Sequence, residues 1–351
     1  MISSIKNNYP YVVIIILNWN GRQDTLDCLL SIKSIDYNNF STVIVDNGSE
    51  DDSVISFRRN YPDITVLETG KNLGYAGGNN IGMRWALEHG ADYVLLLNND
   101  TVVDPDILNG FVLSAEELKD GGLFGAKIYY FDAPNKLWNA GADWDPKLGD
   151  HVTRGSQKCD DGSYDQISES AYANGCALFA RADVLEKVGL LDESFFLIYE
   201  ETDLAYRATK AGYRVYYTPY AKVWHKVSIS IGGNNSPIAR YFTARNQLLW
   251  SRKHLSLLNR LRVYRHVLKR LRVSYIPIFH QNSHCHNVLR SYAWGLFSWY
   301  RQFQRNLTLP SNSADLLGLR DYFRSRFGDC PPEVRQLAAL AKTKNNSHAK
   351  P

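Results

Sequence analysis

In the first third of the chain, short apolar runs stop abruptly in clusters of Asn, Asp and Gly. Val12-Val13-Ile14-Ile15-Ile16-Leu17 ends at Asn18-Trp19-Asn20-Gly21, Thr42-Val43-Ile44-Val45 at Asp46-Asn47-Gly48-Ser49, and Val94-Leu95-Leu96-Leu97 at Asn98-Asn99-Asp100-Thr101. A continuous run of β-branched and leucine side chains suits a strand buried on both faces. Helical patterns separate these runs, near Thr25–Ile35, Ser53–Asn60 and Asn79–Glu88, with Ile64–Glu68 as a further strand and Pro105 placed to open another helix at its first turn. Strands alternating with helices predict an α/β fold, a mostly parallel sheet with helices on both faces. The polar clusters then fall at the carboxyl ends of the strands, where open α/β sheets bind ligands.

After Gly121 the pattern is mixed: short strands near Gly125–Tyr130 and Ala171–Ala180, a helix from about Glu201 to Ala211 that ends at Gly212, and a strand at Tyr213–Tyr217. Beyond Trp250 the sequence turns to Leu, Arg, Tyr and Trp at helical spacing, broken near Pro277. This change divides an α/β domain, residues 1–250, from a basic helical C-terminal region, residues 251–351, whose end, LAKTKNNSHAKP, is expected to be disordered.

A chain of 351 residues, 44% hydrophobic, can bury a substantial core. Its five cysteines are scattered without a CxxC pair, which suggests neither a zinc site nor a disulfide framework and fits a reducing cytoplasm. No apolar run approaches the ~20 residues of a membrane span. MISSIKNNYPY lacks the apolar core of a secretory signal, so cytoplasmic residence is expected. The net charge of +4 hides an asymmetry: Leu204 to Ala314 holds 18 Lys or Arg and no Asp or Glu, against 22 basic and 36 acidic residues elsewhere. Such a block fits a polyanion, whether nucleic acid, an anionic membrane or substrate phosphates, or else a solvated face. No zinc-finger or RNA-recognition signature supports nucleic acid.

Each polar cluster admits a chemical role beside its ordinary one. Asn18, Asn20 and Asp46 can bind a base or ribose edge, though such residues also make turns. Lys71-Asn72-Leu73-Gly74-Tyr75-Ala76-Gly77-Gly78-Asn79-Asn80 follows a strand and leads into a helix; its glycines permit close backbone approach to a diphosphate. It is neither a GxGxxG fingerprint nor a Walker loop, which disfavours dinucleotide and P-loop readings. Asp100, at the mouth of a buried strand, suits a hard cation bridging two phosphates, or a helix cap. Glu200, Glu201 and Asp203 open a helix, where the helix dipole favours acids. Behind the apolar run Phe195-Phe196-Leu197-Ile198-Tyr199, a carboxylate can also have its pKa raised into the range of a general base. Trp224-His225 closes a strand and supplies an imidazole, either structural or a ligand.

Taken in order, VVIIILNWNG, VIVDNGSEDDS, NLGYAGGNNIG, LLLNNDT, NGCALFARADVLEKVGLLDESFF, YEETDLAYRATKAGYRVYY and VWHKVS resemble the inverting family 2 glycosyltransferases of the GT-A fold, a Rossmann-like α/β architecture. The likeness runs from about Tyr11 to about Trp250 and is greatest to rhamnosyltransferase-type members that build surface polysaccharides. It implies a nucleoside-diphosphate sugar donor, dTDP-rhamnose favoured, and a glycan or lipid-linked acceptor. By the same resemblance Asp46 contacts the nucleoside, and Asn18, Asn20, Asn72, Gly74, Gly77, Asn80, Asn98 and Asn99 line the donor site. Asp100 holds a divalent metal, Mg²⁺ or Mn²⁺, with His225 as a further ligand. Glu201 is the implied base, with Glu200 and Asp203 in support.

Two positions depart from the family pattern. Asn98 stands where the metal motif often has Asp, so weak metal affinity is expected. Glu201 stands where the base is commonly Asp, which leaves Glu200 as the alternative base. A noncatalytic nucleotide-sugar or carbohydrate-binding protein on the same fold is the rival reading. From Arg252 to Arg305 eleven basic side chains mix with Leu, Tyr, Trp and Phe and no acid, which fits peripheral binding to an anionic membrane on the cytoplasmic face, or else a helical bundle or dimer interface.

Overall fold

The computed structural model describes residues 9–145, 150–227, 235–275 and 310–348. The chain forms two compact units, residues 1–145 with 151–230, and residues 146–150 with 231–351.

In the first unit, β1 (Val12–Asn18), β2 (Phe40–Asp46), β3 (Thr65–Glu68) and β4 (Tyr93–Asn98) lie parallel in the order β3-β2-β1-β4. They are connected through α1 (Arg22–Ile32), α2 (Ser53–Asn60) and α3 (Gly74–Glu88). There follow β5 (Thr101–Val103), α4 (Ile107–Glu117), β6 (Gly121–Tyr130), β7 (Ala133–Asn139), β8 (Ala142–Asp145), β9 (Asp150–Thr153) and β10 (Ser168–Glu169). The unit ends with β11 (Ala177–Arg181), α5 (Ala182–Val188), α6 (Glu200–Lys210) and β12 (Arg214–His225). β11 runs antiparallel between β4 and β6, and β12 runs parallel to β6, so the main sheet shares one direction apart from β11 and the short edge strands.

The apolar run of β1 shows why the sheet is covered twice. Its side chains alternate between faces. Val12, Ile14 and Ile16 pack with Cys28 and Leu29 of α1, Phe57 of α2 and Phe111 of α4. Val13 and Ile15 pack with Met83 of α3, Val184 of α5 and Leu204 of α6. All five β1 residues are fully buried.

Three local expectations need correction. α3 begins at Gly74 rather than Asn79, so the glycine-rich stretch is largely helix. The glycines are there for packing: a Cβ on Gly78 would stand 2.3 Å from Leu17 Cδ1 and one on Gly82 2.5 Å from Ile15 Cγ2, so their absence lets the helix lie close on β1. α4 begins at Ile107, which leaves Pro105 in the preceding turn with Asp106 at the cap. The C-terminal stretch from Leu340 is helical through His348. Proline in its first turn and a run rich in Ala, Leu, Lys and Gln favour that helix over disorder.

The second unit contains α7 (Pro237–His254), α8 (Leu257–Tyr275), α9 (Pro310–Phe323) and α10 (Pro332–His348). Ser236 caps α7 by accepting from Ala239 N at 3.1 Å. Gly318 of α9 allows close approach to α7, since a Cβ there would stand 2.5 Å from Tyr241 O. Fully buried Arg245 donates to Gly328 O at 2.6 Å. The predicted break at Pro277 and the part of the basic aromatic run from 276 to Arg305 lie outside the described residues, while its first part, from Arg252, falls in α7 and α8.

Candidate active site

The connection from β1 runs to β2 on one side, while β4 arrives on the other, so the strand order reverses between β1 and β4. Splayed connections at such a point open a crevice at the carboxyl ends. Register brings Asn18 of β1 beside Asp46 of β2, and Leu17 beside Asn98 of β4.

One side of this crevice is a closed hydrogen-bond lattice. Asn18 Nδ2 donates to Asp46 Oδ2 at 2.9 Å and to Ser49 Oγ at 3.0 Å, while Asn18 Oδ1 accepts from Thr25 Oγ1 at 2.8 Å. Asp46 Oδ1 accepts from Ser49 N at 3.0 Å. Asn20, in the left-handed region at φ 51°, donates its N–H to Ser49 Oγ at 2.9 Å and accepts from Glu50 N at 2.8 Å. Asn99 Nδ2 donates to Thr25 Oγ1 at 3.0 Å. The backbone of Asn98 is held on both sides: its N–H donates to Cys176 O at 2.9 Å and its carbonyl accepts from Thr101 Oγ1 at 2.7 Å.

Asn47 joins this lattice to α3. It accepts from Leu73 N at 2.9 Å and donates to Gly74 O at 3.0 Å and Asn72 Oδ1 at 3.2 Å, and Asn72 in turn accepts from Gly74 N at 2.8 Å. Gly77 lies against Leu73, with Glu193 beyond it. Asn80 is spent on the chain beyond α5. It donates to Leu191 O at 2.8 Å and Glu193 Oε1 at 2.9 Å and accepts from Leu191 N at 3.0 Å, which fixes the segment leading to α6.

Asp100 and His225 meet across the β5–β12 pairing, with His225 Nε2 at 3.0 Å from Asp100 Oδ1 and both residues buried. Burial opposes a charged imidazole, but the neighbouring Cys176 thiol and Asp100 carboxylate outweigh it and push the His225 pKa up to about 10. Burial also pushes the Cys176 thiol up, against the pull of His225. Trp138 covers the ring edge-on at 4.8 Å, and His225 Nδ1 is buried without a hydrogen-bond partner. Lys226 anchors the strand end by bonding Asp24 at 2.8 Å and Asp27 at 2.7 Å. Among the described residues no group of three or more His, Cys, Asp or Glu side chains is placed to hold a metal. One carboxylate and one imidazole 3.0 Å apart, the imidazole becoming a ligand once it gives up its proton, fit a hard cation that takes its remaining ligands from substrate phosphates rather than a closed protein cage.

The acidic side is built differently. Phe196, Ile198 and Tyr199 have φ of 64°, 69° and 84°, a conformation costly for non-glycine residues and most of all for β-branched Ile198. Tyr199 caps α6, and Glu200 and Glu201 follow at once. Glu200 Oε2 and Glu201 Oε2 are both buried without a hydrogen-bond partner. Burial, and then the charge of Glu201, push Glu200 well above the usual carboxylate range; burial pushes Glu201 up to about 7. Asp203 differs: fully buried, it accepts from Arg207 Nε at 2.7 Å, and Arg207 also grips Val188 O, Gly189 O and Leu190 O.

Tyr75 links the acidic side to the loop before β11. Its hydroxyl donates to Gly175 O at 2.5 Å. Burial holds the phenol well above its usual range, and the nearby Glu200 and Glu201 add to the effect. Tyr75, Thr25, Trp138 and Cys176 also hold the candidate site's side chains in place, and spacing alone does not single them out.

Residues 12–184 match glycosyl transferase family 2. The low-salt glycan biosynthesis hexosyltransferase of Haloferax volcanii is 27% identical over 68% of this chain and 74% of its own length. The dTDP-rhamnosyl transferase RfbF of Shigella flexneri is 26% identical over 72% and 83%. N-acetylglucosaminyl-diphospho-decaprenol L-rhamnosyltransferase of Mycobacterium tuberculosis is 26% identical over 55% and 68%. A solved mannosyltransferase from Pyrobaculum calidifontis, in complex with GDP-Man and Mn²⁺, has the same fold with a TM-score of 0.55 at 15% identity over 90% of this chain and 88% of its own. GalNAc-T7 with UDP, GalNAc and Mn²⁺ gives 0.60 at 12% identity over 86% and 56%. The match from β1 into α5, the hexosyl- and rhamnosyltransferase relatives and the GT-A architecture together support a family 2 glycosyltransferase.

Proposed function

We propose that this enzyme transfers a hexose with inversion, dTDP-rhamnose being the favoured donor, onto a hydroxyl of a glycan or lipid-linked acceptor in cell-surface polysaccharide synthesis. The observation that carries the mechanism is a contrast: the lattice around Asp46 is saturated, while buried Glu200 and half-buried Glu201 each keep one buried carboxylate oxygen without a partner. The choice of rhamnose rests on the two rhamnosyltransferase relatives.

Asp46 binds the nucleoside, held in place by Asn18 and Ser49. Asn20, Asn72, Gly74, Gly77, Asn98 and Asn99 line the rest of the donor site, with Asn80 supporting it from behind. Asp100 and His225 would hold Mg²⁺ or Mn²⁺, a cation that supplies positive charge to the leaving diphosphate. Glu201 removes the acceptor proton as the acceptor oxygen forms its bond to the anomeric carbon. The carbon–oxygen bond to the diphosphate breaks on the opposite face, and its electron pair leaves with the diphosphate. Glu200 lies beside it with its carboxyl pushed well above the usual range by burial and by the charge of Glu201, and Asp203 fixes α6 through Arg207.

The test is hydrolysis of a panel of dTDP-, UDP- and GDP-sugars with Mg²⁺, with Mn²⁺ and with EDTA, alongside Asp100→Ala. Slow release of dTDP from dTDP-rhamnose, dependent on metal and lost in the variant, is the expected result. Release from a different sugar nucleotide replaces the donor, and silence with no nucleotide binding overturns the reading. Retained anomeric configuration in the product, read by NMR, would rule out the single-displacement mechanism.

A further inference from the structure

The outward face of α8 is apolar and basic at once. Val263 and Val267, one turn apart, are only 3% and 1% exposed and face the interior of their unit. At about 100° per residue, the far side of the helix carries Leu257, Leu258 and Leu261, together with Arg262 and Arg265. The three leucines are 66%, 74% and 53% exposed, and both arginines are exposed among them. Folding of the unit is served by the valine face. Burial of a leucine is worth ~1.5–3 kcal/mol, and the outward leucines forgo most of it. One exposed leucine is ordinary, but three on one face within five residues of sequence mark an interaction surface.

The charge around this face narrows the partner. No Asp or Glu occurs between Leu204 and Ala314, so no acid on α7 or α8 answers Arg262 and Arg265. Of the acids elsewhere in the unit, Asp315 is engaged by Arg240, Asp321 by the Tyr241 hydroxyl at 2.9 Å and Asp329 by Arg335 at 2.7 Å, which leaves exposed Glu333, on a different helix, α10. A symmetric contact between two copies would press the same arginines together with no carboxylate between them.

We propose that this face of α8 docks on an anionic lipid bilayer. Leu257, Leu258 and Leu261 enter the boundary between headgroups and acyl chains, and Arg262 and Arg265 pair with lipid phosphates while their stems lie along the apolar layer. A bilayer supplies both things the face lacks, apolar depth and a dense negative surface. No described helix is long and apolar enough to cross a membrane. This inference is independent of the donor and acceptor proposed above.

Sedimentation of the full chain with vesicles tests it. Pelleting is expected with phosphatidylcholine vesicles that contain phosphatidylglycerol and not with phosphatidylcholine alone, and it weakens as salt is raised. Leu257→Ser combined with Leu258→Ser and Leu261→Ser lowers the apparent affinity by at least ~10-fold. Arg262→Gln with Arg265→Gln lowers it roughly 30-fold. Melting temperature and donor hydrolysis stay unchanged in both variants. Failure of the unaltered chain to pellet with anionic vesicles overturns the proposal, as does unchanged pelleting of the leucine variant. A dimer that the leucine variant converts to monomer, with no lipid binding by either, also overturns it and reassigns the face to a second copy.

Discussion

The two sides of the crevice follow opposite rules. Around Asp46, both carboxylate oxygens accept hydrogen bonds, and Asn18, Asn20, Asn47 and Asn72 each hold a neighbouring side chain or backbone. Around Glu201, which is half-buried beside buried Glu200, each carboxylate keeps one buried oxygen without a partner at the end of a segment holding three residues at unfavourable φ. A site that recognises a fixed shape gains from saturated hydrogen bonds, because nothing rearranges on binding. A group that must take a proton gains from the reverse, since burial raises its pKa towards the working range. The first side is built for stability and the second against it.

The sharpest way to break this comparison is Glu201→Gln. The amide cannot accept the acceptor's proton, so kcat should fall by ~10²–10⁴ while donor affinity holds. Stability should move the other way. With its folded pKa raised to about 7, Glu201 keeps a proton that the unfolded chain releases near ~4.3, so its contribution to stability falls as pH rises through that window and the loss is complete above about 7. The glutamine variant should therefore melt higher at pH 8 and close to the parent at pH 4. For the parent, transfer should rise with pH through about 7 as Glu201 ionises. A variant that keeps the parent's rate, with Glu200→Gln dead, would move the base to Glu200.

Asp46→Ala probes the opposite side, with a smaller effect. It removes the acceptor for Asn18 Nδ2 and Ser49 N as well as the proposed nucleoside contact. Loss of the nucleoside's hydrogen bond to the carboxylate costs ~1.5–3 kcal/mol, or about 10- to 150-fold in nucleotide dissociation constant by calorimetry. If the nucleotide binds equally well to the variant, Asp46 is a scaffold residue and the recognition side of the comparison collapses.

How much of this was legible in the sequence follows from the range of the interactions involved. β1, β2 and β4 are readable because burial on both faces demands an unbroken apolar run, and α2 because its apolar spacing and flanking polar residues are local. Asp46, Asp100, Glu200 and Glu201 stand out as acids at strand ends and a helix start. The start of α3 is misread because glycine normally disfavours a helix, and only the β1 side chains beneath Gly78 and Gly82 explain its presence. β7 contains Pro134, Asn135 and Lys136 and is specified by pairing with β6, not by its own pattern. Tyr75 depends on Gly175, a hundred positions away, and Asn80 on Leu191, so neither partner is visible from spacing.

The smallest predicted effect tests whether the two sides are mechanically joined. Gly74 has φ +75°, and a Cβ there would stand 2.4 Å from Phe196 O and 2.6 Å from the Phe196 ring. The carbonyl that blocks it is backbone, and it also accepts from Ala76 N at 3.2 Å, so it cannot simply swing aside. Gly74→Ala must therefore push on the strained segment that presents Glu201. The positive φ and the displaced contact together should cost ~1–3 kcal/mol of stability in denaturant unfolding. If the strain at Phe196–Tyr199 sets the environment of the base, the pH midpoint of transfer should also move down from about 7, as the loosened segment lets water reach the carboxylate. A variant that is less stable yet keeps the parent midpoint would mean that the glycine serves packing alone and that the base is positioned by α6 without help from α3.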